Sequence, residues 1–441
     1  MRTNWWGILL GCCLSIGQAV AGPVIQHWQS ASGAQVYFVE NHDLPMLDVA
    51  VNFAAGSAYD TAAQSGLAGL THHMLNLGAG GLSEDEIARK LADVGAQLGG
   101  QFEPDRAVVA LRTLSNRAER EQALDLLAKA VQQPVFPEAA LNREKARVTA
   151  LLKEADTKPE TLAERALARA VYGDHPYALR ASGEVATVEK LTKADLEMFY
   201  REHYGADKAV VALMGDVSRG EAERIAEQMT AQLPRTTGAA PISAVQTPIR
   251  ASEQRIAHPA TQSHILIGAP GMARNDPDYF VLYVGNYILG GGGFVSRLME
   301  EVREKRGMAY SVYSYFMPMK QPGMFQIGLQ TKKEQADEAL QQVRKTLRGF
   351  VADGPTAKEL KAAQQNIVNG FPLRIDSNKK ILDYLGVIGF YGLPLTYLDD
   401  FPSKVRSVTV GQVREAFRRR VNPDAMATVV VGAPEAMGAA K

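Results

Sequence analysis

Asp207-Lys-Ala-Val-Val-Ala-Leu-Met-Gly215 returns 217 positions later (432 − 215) as Asp424-Ala-Met-Ala-Thr-Val-Val-Val-Gly432. Each copy is a turn residue, an apolar run rich in β-branched side chains and a closing glycine, the pattern of a buried strand. The segment ahead of the strand repeats at the same spacing, Leu191-Thr-Lys-Ala-Asp-Leu matching Val408-Thr-Val-Gly-Gln-Val. Tyr172-Gly-Asp-His-Pro and Tyr391-Gly-Leu-Pro match at nearly that offset. One matching strand is chance. Several elements in one order at one offset mark a tandem duplication.

The halves are joined by Pro234-Arg-Thr-Thr-Gly-Ala-Ala-Pro-Ile-Ser-Ala-Val-Gln-Thr-Pro248, rich in Pro, Gly, Ser, Thr and Ala and without a helical apolar stripe. That composition reads as a linker over 234–248. One domain is therefore expected at 22–233 and its homologue at 249–435, each with its own core. In the first half, Val36–Glu40, Met46–Phe53 and Ala107–Leu114 read as strands, the first two joined by a turn at Asn41-His-Asp. Gly66–Leu77, Ser83–Val94, Ala118–Gln132, Pro137–Lys153 and Pro159–Val171 read as helices. Ser83 with Glu86 is a capping box. Hairpin strands with grouped helices imply an α+β fold built on a largely antiparallel sheet.

Composition narrows function by exclusion. The 441 residues carry 48 basic and 48 acidic side chains, a balance that gives no electrostatic case for nucleic acid or an anionic membrane. Met1-Arg2, an apolar run from Trp5 to Ile16 and Ala19-Val-Ala21 read as a signal peptide over residues 1–21, with the mature chain starting near Gly22. Both cysteines, Cys12 and Cys13, fall inside it. No later stretch is apolar and long enough to span a bilayer. The expectation is a periplasmic protein without disulfides.

Three local features carry chemistry. Gly66-Leu-Ala-Gly-Leu-Thr-His-His-Met-Leu75 lies in a helical pattern and holds the adjacent pair His72 and His73. Neighbours on a helix point about 100° apart, so the pair by itself is a poor metal site. Gly290-Gly-Gly-Gly293 precedes Phe294-Val-Ser-Arg. No Walker lysine follows, so it reads either as a loop that lets backbone approach a ligand or as a turn capping a helix. Arg303 and Tyr310 are the third feature. Arginine can fork onto a carbonyl or carboxylate and the tyrosine hydroxyl can donate to a carbonyl oxygen; the alternative is a surface arginine and a core tyrosine.

Together these stretches resemble the pitrilysin/insulinase-type zinc peptidases (inverzincins), in particular the small bacterial members related to mitochondrial processing peptidase. Val51-Asn-Phe-Ala-Ala-Gly-Ser-Ala-Tyr-Asp60 followed by Gly66-Leu-Ala, then Leu77-Gly-Ala-Gly-Gly81, Gly173-Asp-His-Pro-Tyr177 and Arg303-Glu-Lys-Arg-Gly-Met-Ala-Tyr310 carry the resemblance over nearly the whole mature chain. It implies two homologous domains facing each other as a clamshell, with peptide between them. It also implies that small members dimerise, often one catalytic subunit with one non-catalytic subunit. In active members, His-x-x-Glu-His on a helix supplies two zinc ligands and the base that activates zinc-bound water. Here Gly69 stands at the first histidine, His72 at the glutamate, and only His73 remains. Glu154 is the candidate for the third ligand, or else a solvated carboxylate at a helix end. The chain is thus expected to hold no metal and no catalytic residues. It reads as a non-catalytic, substrate-binding subunit paired with a homologous catalytic subunit that carries zinc. Arg303, Tyr310 and Gly290, Gly291, Gly292 and Gly293 would hold peptide. A stand-alone peptide-binding or scaffold protein is the alternative, and a cryptic zinc peptidase using His72, His73 and Glu154 a third reading.

Overall fold

In a computed structural model the described residues are 22–236, 240–247 and 249–433; the expected signal peptide lies outside them. The first half contributes strands β1 (Gln26–Gln29), β2 (Gln35–Glu40), β3 (Met46–Phe53), the short pair β4 (Gly78–Ala79) and β5 (Leu82–Ser83), β6 (Gln97–Phe102), β7 (Ala107–Leu114) and β8 (Val210–Gly215). The second contributes β9 (Ser252–Ala257), β10 (Gln262–Pro270), β11 (Ala309–Phe316), β12 (Met324–Lys332) and β13 (Ala427–Ala433). One sheet runs β1-β2-β8-β3-β7-β6 and the other β11-β12-β10-β13-β9. Each is antiparallel except for one parallel pair, β2 with β8 and β9 with β13. The duplication is therefore visible in topology. β2, β3, β7 and β8 recur as β9, β10, β12 and β13, starting 216 or 217 residues later (252 − 35, 262 − 46, 324 − 107, 427 − 210).

The first-half helices form where apolar spacing and caps place them: α1 (Leu67–Met74), α2 (Glu84–Asp93), α3 (Arg117–Gln132), α4 (Glu138–Ala155) and α5 (Pro159–Tyr172). Ser83 and Glu86 form the expected capping box of α2, and Pro159 occupies the first turn of α5, where its missing N–H costs nothing. The strand β6 went unforeseen. Gln97-Leu-Gly-Gly-Gln-Phe102 has two glycines and no alternation, but it sits at a sheet edge, where pairing from one side suffices.

The division into cores departs from the expectation. One face of the first sheet, with Val49, Val51 and Leu213, packs on Leu70 and Met74 of α1 and Leu124 and Leu127 of α3. Its other face, with Tyr37, Ala50 and Val210, is covered by Ile381, Leu385 and Ile388 from a helix of the second half, Asn378–Tyr391. Gly389 lets that helix press close: a Cβ there would lie 2.6 Å from a ring carbon of Tyr37. Reciprocally, Ala163, Leu167 and Val171 of α5 pack on Leu266, Val429 and Val431 of the second sheet. Each half thus lends a helix to the other's sheet, and one face of each sheet is covered across the boundary between halves. Buried Asp105, in the β6–β7 turn, ties the halves together. It accepts from the Tyr177 hydroxyl (2.6 Å), the Tyr391 hydroxyl (2.9 Å) and the Lys320 backbone N–H (2.7 Å). Linker residue Ile242 is also buried in this junction.

Candidate functional site

α1 presents the expected degenerate centre. Its N-terminus is held by Asp60, which accepts from the Gly66 and Ala68 N–H groups at 2.8 Å each. Gly69 faces the 180–183 segment, where a Cβ would lie 2.9 Å from the Ala181 carbonyl oxygen and 3.3 Å from Phe102. A histidine does not fit there without displacing both. Phe102 stacks on His72, ring centroids 5.6 Å apart at 20°. The buried Nδ1 of His72 has no hydrogen-bond partner. Desolvation, with the neighbouring His73 adding to it, pulls the His72 pKa down to about 4, so the ring is neutral near pH 7.

His73 is committed elsewhere. Its Nε2 lies 2.9 Å from Glu144, which is also bonded by Arg147 (2.6 Å) and Arg143 (3.1 Å). Burial alone would raise the Glu144 pKa, but the two arginines outweigh it and hold the carboxyl below the usual range. Glu154 does not reach His73. It sits near the end of α4, exposed, in an ion pair with Lys158 at 2.8 Å. Glu144 takes the position expected of Glu154. It was findable as a carboxylate on the buried stripe Ala140, Leu141, Glu144 of α4, a place where an acid needs a partner. Among the described residues no group of three or more His, Cys, Asp or Glu is placed to hold a metal. A catalytic zinc requires three protein ligands and an open position, and the residues around His73 do not fit one. What stands there is a cavity of about 640 Å³, lined in part by Leu70, His72, Leu98, Phe102 and Val148.

The second half brings its candidates together. Arg303, Tyr310, Gly290, Gly291 and Gly293 line one cavity of about 630 Å³; Gly292 does not line it. Between Ala309 and Val312 the β11–β12 pairing shifts register. This bulge carries Tyr310, which is 84% exposed, and bulges re-aim side chains in this way. The Arg303 guanidinium stands over the rings of Phe294 (4.7 Å) and Tyr310 (5.0 Å), so the spaced pair forms a cation–π stack. The glycines have individual reasons. A side chain at Gly290 would collide with the Ser314 backbone nitrogen (2.6 Å), whereas Gly293 takes a positive φ of 62° with open space around it. Gly290 and Gly291 end a π-helical stretch, Tyr287–Gly291, and Gly293 opens a short 3-10 turn that leaves Phe294 and Val295 each 69% exposed. Tyr313 and Tyr315 stack at 5.8 Å along the same strand, and burial pushes the Tyr315 hydroxyl up to about 12. β6 and β11 are edge strands, each with unpaired backbone groups beside a cavity.

Residues 36–184 match the insulinase family (peptidase family M16), and residues 190–367 match the peptidase M16 inactive domain. A crystal structure of a peptidase M16 inactive domain from Pseudomonas fluorescens is 40% identical in sequence, with 95% of this chain and 100% of that one covered at a TM-score of 0.90. The chain belongs to the M16 family. The two-domain clamshell of α+β units is the M16 architecture. M16 relatives include an uncharacterized zinc protease, YmxG, of Bacillus subtilis, 24% identical over 402 residues (91% of this chain, 97% of the relative). They also include the non-peptidase homolog YmxG of Helicobacter pylori, 26% identical over 381 residues (86% and 87%). An M16 chain with Gly69 and His72 in place of the signature, and with second-half matches to an inactive domain, is a non-catalytic type of M16 protein.

Proposed function

We propose that this chain is the substrate-binding, non-catalytic subunit of a periplasmic zinc metallopeptidase heterodimer, its zinc carried by a homologous catalytic partner. The supporting observation is the contrast between its two halves. Where zinc would sit, Phe102 and the Ala181 carbonyl crowd Gly69, while Arg303, Tyr310 and the glycine turn converge on an open cavity beside the β11 edge. Peptide adds to such an edge by backbone hydrogen bonds, a sequence-tolerant mode. Arg303 and Tyr310 then engage its carbonyl or carboxylate groups. Arg303→Ala with Tyr310→Phe should lower peptide cleavage by the reconstituted complex about tenfold to a hundredfold, the loss of one or two hydrogen bonds of which one is charged. Assembly and circular dichroism should not change. Full activity in a correctly assembled double variant removes the substrate-binding role. Because the cavity is formed within one chain, peptide binding by the isolated chain with no catalytic homologue co-purifying would support the stand-alone peptide-binding reading instead.

A further inference from the structure

The second-half cavity has a charge character that no sequence pattern singled out. Besides Arg303 it is lined by Arg274 and Arg374, and no aspartate or glutamate lines it. Arg274 stands just after β10, fixed by its backbone N–H donating to the Met319 carbonyl at 2.7 Å. Its guanidinium lies 5.4 Å over the Tyr279 ring and 6.0 Å over Tyr391, and its buried Nε has no hydrogen-bond partner. The acids nearest it in sequence are taken: Asp276 pairs with Arg420 at 2.8 Å, and Asp278 with Arg419 at 2.9 Å. Arg374 stands 5.7 Å over Tyr283. Arg303 has only a 3.7 Å contact with Glu304. Arginine in an aromatic enclosure, with a buried donor unmatched, is a group waiting for an acceptor, because leaving such a donor unpaired is costly.

We propose that this cavity binds a peptide carboxylate, with Arg274 as its main partner, Arg303 and Arg374 completing a cationic rim, and the tyrosine walls taking the apolar or aromatic residue beside it. This rests on the peptide-binding reading above and gives it a chemical preference. A guanidinium forks onto a planar carboxylate, and rings stacked under guanidinium groups keep them desolvated, which strengthens the pairing. Beyond Tyr310 and Tyr313 the character reverses, and Glu160 and Glu164 of α5 line an adjoining cavity that those tyrosines share. An acidic group is repelled there and accepted on the arginine side. The carboxylate is that of an Asp or Glu side chain or of the peptide's own C-terminus.

The test is fluorescence anisotropy on the full chain with three labelled forms of one short aromatic-containing peptide. The first carries an internal glutamate and an amidated end, the second glutamine and an amidated end, the third glutamine and a free C-terminal carboxylate. At least one carboxylate form should bind roughly tenfold to a hundredfold tighter than the neutral one, the size of a charged hydrogen bond. The first form binding tighter assigns the site to acidic side chains and the third to C-termini. Arg274→Gln should abolish that difference and Arg274→Lys should keep part of it. If Arg274→Gln fails to fold by circular dichroism, Arg374→Gln should reduce the preference instead. Equal affinity for all three forms overturns the carboxylate proposal while leaving peptide binding standing, and no binding of any form overturns both. Tighter binding of inorganic phosphate than of every peptide, or an unchanged preference in folded variants, also overturns it.

Discussion

Leu385 belongs by sequence to the second half, yet it should act as a core residue of the first. Its side chain is fully buried, on the Asn378–Tyr391 helix against the face of the first sheet that carries Tyr37, Ala50 and Val210. Leu385→Ala removes three carbon groups at about 0.8 kcal/mol each and leaves a cavity between a helix and a sheet that cannot fully collapse. The expected loss is about 3 kcal/mol, read from chemical denaturation. The location of the damage is the sharper test. In native-state hydrogen exchange by mass spectrometry, the protection lost should map to β2, β3 and β8 as well as to the mutated helix. The mirror experiment is Leu167→Ala. That residue of α5 is also fully buried, on the second sheet, and its loss should expose β10 and β13. Exchange changes confined to the half that carries the mutation, or a loss below about 1 kcal/mol, would refute the helix-exchange reasoning.

A protease site inserted after exposed Arg235 should yield a nicked chain that still elutes as one particle, because α5 and the Asn378–Tyr391 helix cross between halves; either fragment expressed alone should aggregate through an uncovered sheet face. Gly69→His with His72→Glu should fail to bind zinc by elemental analysis and should destabilise the chain by about 1–3 kcal/mol through overpacking against Phe102 and Ala181. Because the folded chain keeps His72 neutral down to about pH 4, against an ordinary value of 6.5, the unfolded chain binds more protons between those values. Stability from this group is complete above pH 6.5 and falls as pH drops toward 4, by about 2 kcal/mol for a ring that is not fully enclosed. His72→Phe should flatten that part of the denaturation midpoint against pH while keeping the stack on Phe102.

Much of the fold was legible because it is written twice. Strands β8 and β13 are β-branched, apolar and buried on both faces, so their repeat stands out of the sequence. Ser83 and Glu86 announced α2 through a purely local interaction. What sequence could not say is which sheet a helix covers. The apolar stripe of α5 shows that Ala163, Leu167 and Val171 are buried, and the same stripe would serve against either sheet. That choice is made by long-range complements, such as Gly389 opposite Tyr37 and the Asp105 junction, which have no local signature. β6 was hidden for the converse reason: an edge strand needs little apolar patterning.

The site divides along the same line. Gly69 and His72 were readable as losses, since a missing ligand needs no geometry to recognise. The consequence needed geometry. A cavity of about 640 Å³ remains there, but Phe102 stacks on His72 and Glu144 joins His73 to two arginines, so the groups at the ligand positions are taken up by other contacts. Turning Glu144 toward a metal would leave Arg143 and Arg147 without their partner, a costly break of a half-buried charge cluster, so reversing two residues does not restore the centre. In the second half, Arg303 and Tyr310 were visible through the resemblance to the family's Arg-x6-Tyr signature, but Arg274 was not. Its significance lies in a cavity that no acid lines, a property of the fold and not of its neighbours in the chain. The first half's cavity, about 640 Å³, is lined by His72 and Phe102 where the zinc signature would stand, and the second half's, about 630 Å³, by Arg274, Arg303 and Arg374 with no acid. On the proposed peptide-binding role, it is in the second cavity that substitutions should change which peptides are taken.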